Sequence, residues 1–282
     1  MLRTVLPLLR CPQCATPQET LLQLGEREIG CAAGHRFDPA RQGYLPLLGG
    51  ASRTDTGDSA AMVAARADFL DRGHYAPIAQ AVAEATGAII GDTPDPVVCE
   101  IGAGTAYYLS TALPPSGRGI ALDSSRYASR RAAAADPRVA AVLADAWAPL
   151  PVASGVADAA LVVFAPRVAA EIARIVRGSG GAVVVTPNPG HLGEVREPLG
   201  MLAVDDGKDE AVRDRFEGLL RVGAVDRVRA EMSLDSNDLR DLVGMGPAAR
   251  HRTTEQIAAA AAALGEPVPV HLDVTVTQLV RP

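Results

Sequence analysis

Between residues 96 and 187 short apolar runs alternate with amphipathic stretches. Runs at 97–101, 119–122, 140–143, 159–164 and 182–186 are too short for buried helices. They are rich in Val, Ile, Leu and Ala, and so read as strands. The stretches between them, at 106–113, 125–135 and 168–176, carry apolar residues at helical spacing. A β-α-β-α rhythm of this kind predicts a parallel sheet with helices on both faces. The run at 159–164 has no polar alternation, which predicts a central strand buried on both sides. Upstream, Ser59 can cap a helix over 59–72 whose face is Met62, Ala65, Phe69 and Leu70, and Gly73 ends it. Pro77 starts a second helix running to about residue 88. Downstream, helical stretches near 207–220, 235–244 and 254–264 flank strand candidates at 224–233 and 270–280. The last alternates cleanly and suits an antiparallel strand at or near the sheet edge.

Composition narrows the class. The chain has 282 residues, 48% of them hydrophobic and 21% charged, enough for a large core and too apolar for disorder. No apolar run approaches the length of a membrane span. The N-terminal apolar stretch is broken by Pro7 and ended by Arg10, with no small-residue cleavage site after it, so it does not read as a signal peptide. A cytoplasmic protein with reduced thiols is expected, with no membrane and no DNA partner. The net charge of −6 excludes a surface that grips nucleic acid everywhere, so such contacts must be local. Lys208 is the only lysine beside 26 arginines; codon bias explains that, although arginine also suits phosphate and base stacking.

Three of the four cysteines cluster. Cys11-Pro-Gln-Cys14, sixteen residues, then Cys31-Ala-Ala-Gly-His35 make a C-x2-C-x16-C-x3-H pattern. Two such knuckles set four ligands around one tetrahedral ion, and Cys3His suits a structural Zn2+ with no open position for chemistry. The metal stabilises a segment too small for its own core. Cys99, inside a strand, reads as a core residue.

The first strand runs into Gly102-Ala103-Gly104, where the missing Cβ atoms let backbone approach a ligand. Asp123 ends the next strand, 23 residues after Glu100, where an acid can accept ribose hydroxyls. Dinucleotide and S-adenosylmethionine (SAM) enzymes share that much. Three details favour SAM: Tyr107 replaces the third glycine of a dinucleotide turn, Glu100 suits a cofactor's ammonium, and Asp145 ends the third strand, toward the adenine. The fourth strand is followed by Ala165-Pro166, not by Asn/Asp-Pro-Pro-aromatic, which disfavours enzymes methylating exocyclic amines.

Longer motifs accompany this set: Asp55-Thr-Gly-Asp58-Ser59, Met62, Ala65-Arg66, Phe69-Leu70, Gly73-His74-Tyr75-Ala-Pro77, Phe164-Ala165-Pro166, and Thr186-Pro-Asn-Pro189-Gly-His191-Leu192. Together they resemble the 23S ribosomal RNA guanine-N1 methyltransferases, over nearly the whole chain. The resemblance implies a Rossmann-like SAM-dependent methyltransferase sheet (α/β) over 96–282, a linker and helices over 49–95, and an N-terminal zinc-binding β-rich segment over 1–48. It implies zinc at Cys11, Cys14, Cys31 and His35, and cofactor contacts from Tyr75, Gly104, Thr105 and His191. With Glu100, Gly102, Asp123 and Asp145 these make the expected cofactor set. The implied substrate is the helix-35 hairpin loop of 23S rRNA, the implied assembly a homodimer, and some members confer resistance to macrolides such as tylosin. Two positions depart from the family pattern: Thr105 stands where glutamate is expected, and Met245-Gly246-Pro247 where Met-Thr-Pro is.

Guanine N1 carries a proton and is a poor nucleophile until it is lost, so a base or stabilisation at O6 is required. His191 is the candidate base, with a hydrogen bond to the cofactor carboxylate as its plainer role. RNA contact is expected from the zinc segment and the loop after it, through Arg36, Arg41, Arg53, Arg66 and Arg72. Two rival readings stay open. A small-molecule SAM methyltransferase of natural-product tailoring would not need the zinc segment. A non-enzymatic RNA-binding resistance protein would not need Glu100, Gly102, Gly104 and Asp123.

Overall fold

A computed structural model describes residues 2–14, 21–25, 28–49, 57–202, 208–250 and 252–282. The expected rhythm is present. Eight strands form one sheet: β1 (Leu45–Pro46), β2 (Val97–Ile101), β3 (Arg118–Asp123), β4 (Val139–Leu143), β5 (Ala157–Val163), β6 (Val176–Pro187), β7 (Arg221–Leu234) and β8 (Val268–Val280), in the spatial order β7-β8-β6-β5-β2-β3-β4-β1. Strands β1 to β6 pair in parallel. The carboxyl-terminal pair is antiparallel: β8 lies beside β6, with Thr275 opposite Thr186, and β7 covers β8. Strand β8 is thus one place in from the edge.

The central strands are buried on both faces, and their alternation sorts side chains into two cores. Val98, Ala121, Leu161, Val163 and Val183 face one cluster, which is closed by helices α1 (Ala60–Asp71), α2 (Ala76–Ile90), α3 (Tyr107–Ala112), α4 (Arg126–Ala135), α7 (Ser236–Gly244) and α8 (Thr254–Ala262). Val97, Cys99, Ile101, Val162 and Val184 face the other. Helices α5 (Ala169–Ile175) and α6 (Lys208–Phe216) cover that side, and so does the N-terminal segment. Cys99 is fully buried there, as a core residue.

Two features depart from the expected element bounds. Strand β6 begins directly after α5 and is twelve residues long, because Gly178 to Gly181 continue as extended backbone where the apolar pattern is silent. Two residues, Leu45 and Pro46, form an edge strand beside Val142 and Leu143. The N-terminal segment therefore shares the sheet's own core: Leu9 bridges Val152, and Leu9, Leu22, Ile29, Phe37 and Leu47 pack in one cluster with Val97 and Val142.

Helix ends follow local chemistry. The Ser59 hydroxyl caps α1 by accepting from the Met62 N–H at 3.3 Å. Asp235 and Asp238 form a capping box on α7. Arg72, at the end of α1, reaches Asp238 and Asp241 of α7 at 2.5 and 2.6 Å and ties the two helices together. Among the described residues no helix is long and apolar enough to cross a membrane.

Candidate functional site: a metal knuckle and a cavity at the strand ends

The N-terminal segment brings its four predicted ligands together. A three-stranded antiparallel sheet (23–24, 29–30 and 36–37) carries Cys31 and His35 on its second turn, and Cys11 and Cys14 come from the turn before it. His35 Nδ1 lies 3.5, 3.5 and 3.4 Å from the Sγ atoms of Cys11, Cys14 and Cys31, and Cys14 Sγ lies 3.7 Å from Cys31 Sγ. Zinc bonded to sulfur at ~2.3 Å and to nitrogen at ~2.0 Å in a tetrahedron sets its ligands ~3.5–3.8 Å apart. The donor set and its spacing fit that ion. All four ligand positions are filled by the chain, so the site is structural.

The second site is a cavity of about 740 Å3 at the carboxyl ends of the central strands. That volume suits a small-molecule ligand, and in parallel sheets ligands bind at this place. Its wall contains six of the eight predicted cofactor residues: Tyr75, Glu100, Gly102, Gly104, Thr105 and His191. Gly102 has φ +70°, and a Cβ there would sit 2.6 Å from the Ala165 Cβ, so only glycine passes. Gly104 has φ +56°, and the Arg66 side chain lies across it.

Asp123 and Asp145 stand behind the wall. The Asp123 carboxylate accepts from the Gly104 N–H at 2.8 Å and the Ser125 N–H at 2.7 Å, and so braces the glycine turn. Burial raises its pKa, against those two bonds, and nearby Asp58 adds to the rise. Asp145 is 5% exposed and accepts from the Trp147 N–H. Glu100 is 1% exposed. Desolvation pushes its pKa well above the carboxylate range, although the Leu109 N–H donates to it at 3.2 Å, and Asp123 pushes the same way. A buried acid with one weak donor suits a cationic ligand group.

His191 is held from both sides. Its Nδ1 accepts from the Asp273 N–H at 3.2 Å, and its Nε2 lies 3.4 Å from the Tyr75 hydroxyl. Because Nδ1 is an acceptor, the neutral ring carries its proton on Nε2 and donates from there. Tyr75 is 4% exposed and packs edge-on against Phe69. Burial drives its hydroxyl pKa far up.

The arginines expected to meet RNA divide. Arg66 lines the cavity, and its guanidinium donates to Asp58 and to the Met245 carbonyl, both at 2.8 Å. Its Nε is buried without a hydrogen-bond partner among the described residues. Arg72 serves the α1–α7 pairing, and Arg36 pairs with Glu28 at 2.6 Å on the surface. Arg41 is exposed on the turn before β1, and Arg53 lies outside the described residues. Sequence reasoning missed Arg196 and Arg250, which also line the cavity. Arg196 falls five residues after His191, within the stretch that opens with the His-Leu motif, and that proximity was the available signal. Met245, Gly246 and Pro247 line the cavity as well, so the departure from the family pattern sits in the site.

The family model of the RlmA N-terminal zinc ribbon matches residues 9–51. A Streptomyces fradiae 23S rRNA (guanine(748)-N(1))-methyltransferase is 39% identical over 98% of this chain and 98% of its own length. A Micromonospora griseorubida protein whose name assigns it to the 23S rRNA (guanine-N(1)-)-methyltransferases is 40% identical over 98% of this chain and 96% of its own. A methyltransferase from Bacillus halodurans superposes with a TM-score of 0.53, covering 71% of this chain and 98% of that one at 11% identity, which speaks to the fold alone. With full-length identity of this order, a matching zinc ribbon and the cavity in its place, this chain belongs to the 23S rRNA (guanine-N1-)-methyltransferase family.

Proposed function

We propose that this chain transfers the methyl group of SAM to N1 of a guanine in the helix-35 hairpin loop of 23S rRNA, with a structural zinc in its N-terminal ribbon. The observation that carries the reading is full-length similarity to two relatives that bear this activity in their names. The strand-end cavity supplies a place for it.

When bound, SAM supplies an electrophilic methyl on a sulfonium leaving group. The protein's work is orientation. The Gly102 and Gly104 backbone gives close approach. Glu100 would face the ammonium, and Asp123, which holds the glycine turn from behind the wall, would have a second lone pair on each carboxylate oxygen for ribose hydroxyls that reach past that turn. His191 would donate from Nε2 to the cofactor carboxylate, with the Tyr75 hydroxyl, 3.4 Å from the same nitrogen, holding the ring in place. We assign His191 to positioning and not to removal of the N1 proton, because its Nδ1 is already engaged by the Asp273 N–H.

We read residues 1–48 as the zinc and RNA segment, 49–95 as linker and helices, and 96–282 as the methyltransferase domain. The working unit we read as a homodimer in the cytoplasm; the 14-residue edge strand β7 is mostly exposed, and among the described residues its outer ladder is unpaired. A macrolide-resistance role would follow from the same modification, and unchanged tylosin tolerance on expression in a sensitive host would remove it.

Labelled SAM with unmodified 23S rRNA tests the reading. Incorporation that maps to the helix-35 loop supports it. Cofactor binding without transfer to RNA would move the assignment to a small-molecule acceptor. Deleting residues 1–48 is a poor discriminator, since that segment shares the sheet's core.

A further inference from the structure

We infer that Phe164 and Arg196 form the seat of the target nucleotide, Phe164 stacking the purine and Arg196 taking a flanking phosphate. The inference rests on the RNA-methylating reading above and adds the residues that would hold its acceptor.

Phe164 directly follows β5 at the cavity wall, in left-handed backbone at φ +54°. An aromatic residue rarely adopts that conformation, and it costs on the order of 1 kcal/mol. Strain of this kind gathers at working sites; Leu192, also at positive φ, lines the same cavity. The strain does not hide the ring, which stays 39% exposed although its backbone N–H is tied to the Val185 carbonyl. Instead the ring is presented. It lies near parallel to His191, with centroids 5.9 Å apart and planes 24° apart, and it is tilted toward Tyr75 at 6.2 Å. An exposed ring fixed beside the residue proposed for the cofactor carboxylate is a stacking platform for a base splayed out of a loop.

Arg196 adjoins this ring through His191. Its guanidinium donates to the Pro189 carbonyl at 2.9 Å and to the His191 carbonyl. Both acceptors are neutral, so among the described residues no carboxylate cancels its charge. Arg36, Arg66 and Arg72 differ, each held by an acid. A cation oriented by carbonyls at the mouth of a cavity is ready for a phosphate, which guanidinium grips well. An aromatic face beside a fixed cation matches one single-stranded purine nucleotide. Methylating N1 requires that purine to leave its pairing, because N1 lies on the Watson–Crick edge.

The test uses the full chain, an unmodified 23S rRNA transcript and labelled SAM. Phe164→Gly removes the ring and keeps the fold, since glycine is at home at this φ; Phe164→Tyr keeps the face. The expected result is an RNA KM raised about tenfold by Phe164→Gly, restored by Phe164→Tyr, with the SAM Kd unchanged by calorimetry. Arg196→Gln should flatten the dependence of log KM on log salt by roughly 0.7, one phosphate's worth. An unchanged RNA KM in Phe164→Gly, or an unchanged salt slope in Arg196→Gln, overturns the seat. So does a fall in SAM affinity that matches the loss on RNA. Wild-type protein that binds SAM and leaves the RNA unmethylated would instead overturn the proposed function.

Discussion

Replacing Glu100 with glutamine preserves the shape of a side chain that is 1% exposed and removes only its charge. Desolvation and the Asp123 carboxylate hold the Glu100 pKa well above its ordinary 4.5, and the Leu109 N–H does not offset them. Without a cationic partner the neutral acid is favoured. An ammonium beside it favours the carboxylate, so SAM binding should expel a proton. Below the raised pKa, SAM affinity should then climb by up to about tenfold per pH unit, or ~1.4 kcal/mol. The stability sign is opposite to that of a salt-bridged acid. From pH 4.5 up to the raised pKa the folded chain binds a proton that the unfolded chain has lost. Stability therefore falls as pH rises through that window. Glu100→Gln lacks this slope, and at neutral pH it should melt no lower than the wild type. Calorimetry in two buffers of different ionisation heat, repeated over a pH series kept below the range in which the cofactor's own ammonium titrates, reads the proton count. Wild-type protein should release up to one proton on binding SAM, and Glu100→Gln none, with weaker affinity. A SAM affinity flat with pH in the wild type, or the same proton release in the variant, would refute the assignment.

Three further outcomes follow from the contacts. Cys31→Ser opens the metal site, and because Leu9, Ile29 and Phe37 share a core with Val97 and Val142, the loss should spread to the sheet: metal analysis should show no zinc, and melting should fall by on the order of 10 °C. Asp273 is held at about pKa 2 by Arg227, with help from Asn188. It contributes stability above pH 3.8 that is lost as pH falls through 2; Arg227 is half exposed, so Asp273→Asn should cost only ~1 kcal/mol at pH 7, a cost that shrinks as pH is lowered from 4 towards 2 in urea titrations. Arg72→Gln breaks the link from α1 to Asp238 and Asp241; it should cost about 1 kcal/mol in urea unfolding and leave the salt dependence of RNA methylation as in the wild type.

Much of the site was legible because its signals are local. Cys11, Cys14, Cys31 and His35 announce a metal by spacing alone. Gly102 and Gly104 mark the strand-end turn, and with Glu100 they line the cavity there, because a tight turn with close backbone approach demands glycine. Apolar runs located every strand from 97 to 186, since their burial on both faces leaves no polar alternation to confuse them. Leu45–Pro46 was illegible: two residues carry no period, and their pairing depends on Val142, about a hundred residues away. The arginines were illegible for the same reason. Arg72 reads as a free cation until Asp238 and Asp241 fold against it, and Arg196 reads as one of 26 arginines until β6 and β8 deliver His191 beside Phe164. His191 fits two roles by residue type, a base or a donor to the cofactor carboxylate; the contact that bears on the choice is the Asp273 N–H, which only the antiparallel return of β8 supplies.

Guanine N1 is the atom on which the whole reading converges. Unmodified 23S rRNA treated with the purified protein and SAM should be digested to nucleosides and separated, with reverse transcription run on the same RNA. N1-methylguanosine as the methylated product, with a new stop in the helix-35 loop, is the expected result. Methylated nucleoside of any other kind, or N1-methylguanosine without a stop in that loop, would contradict it.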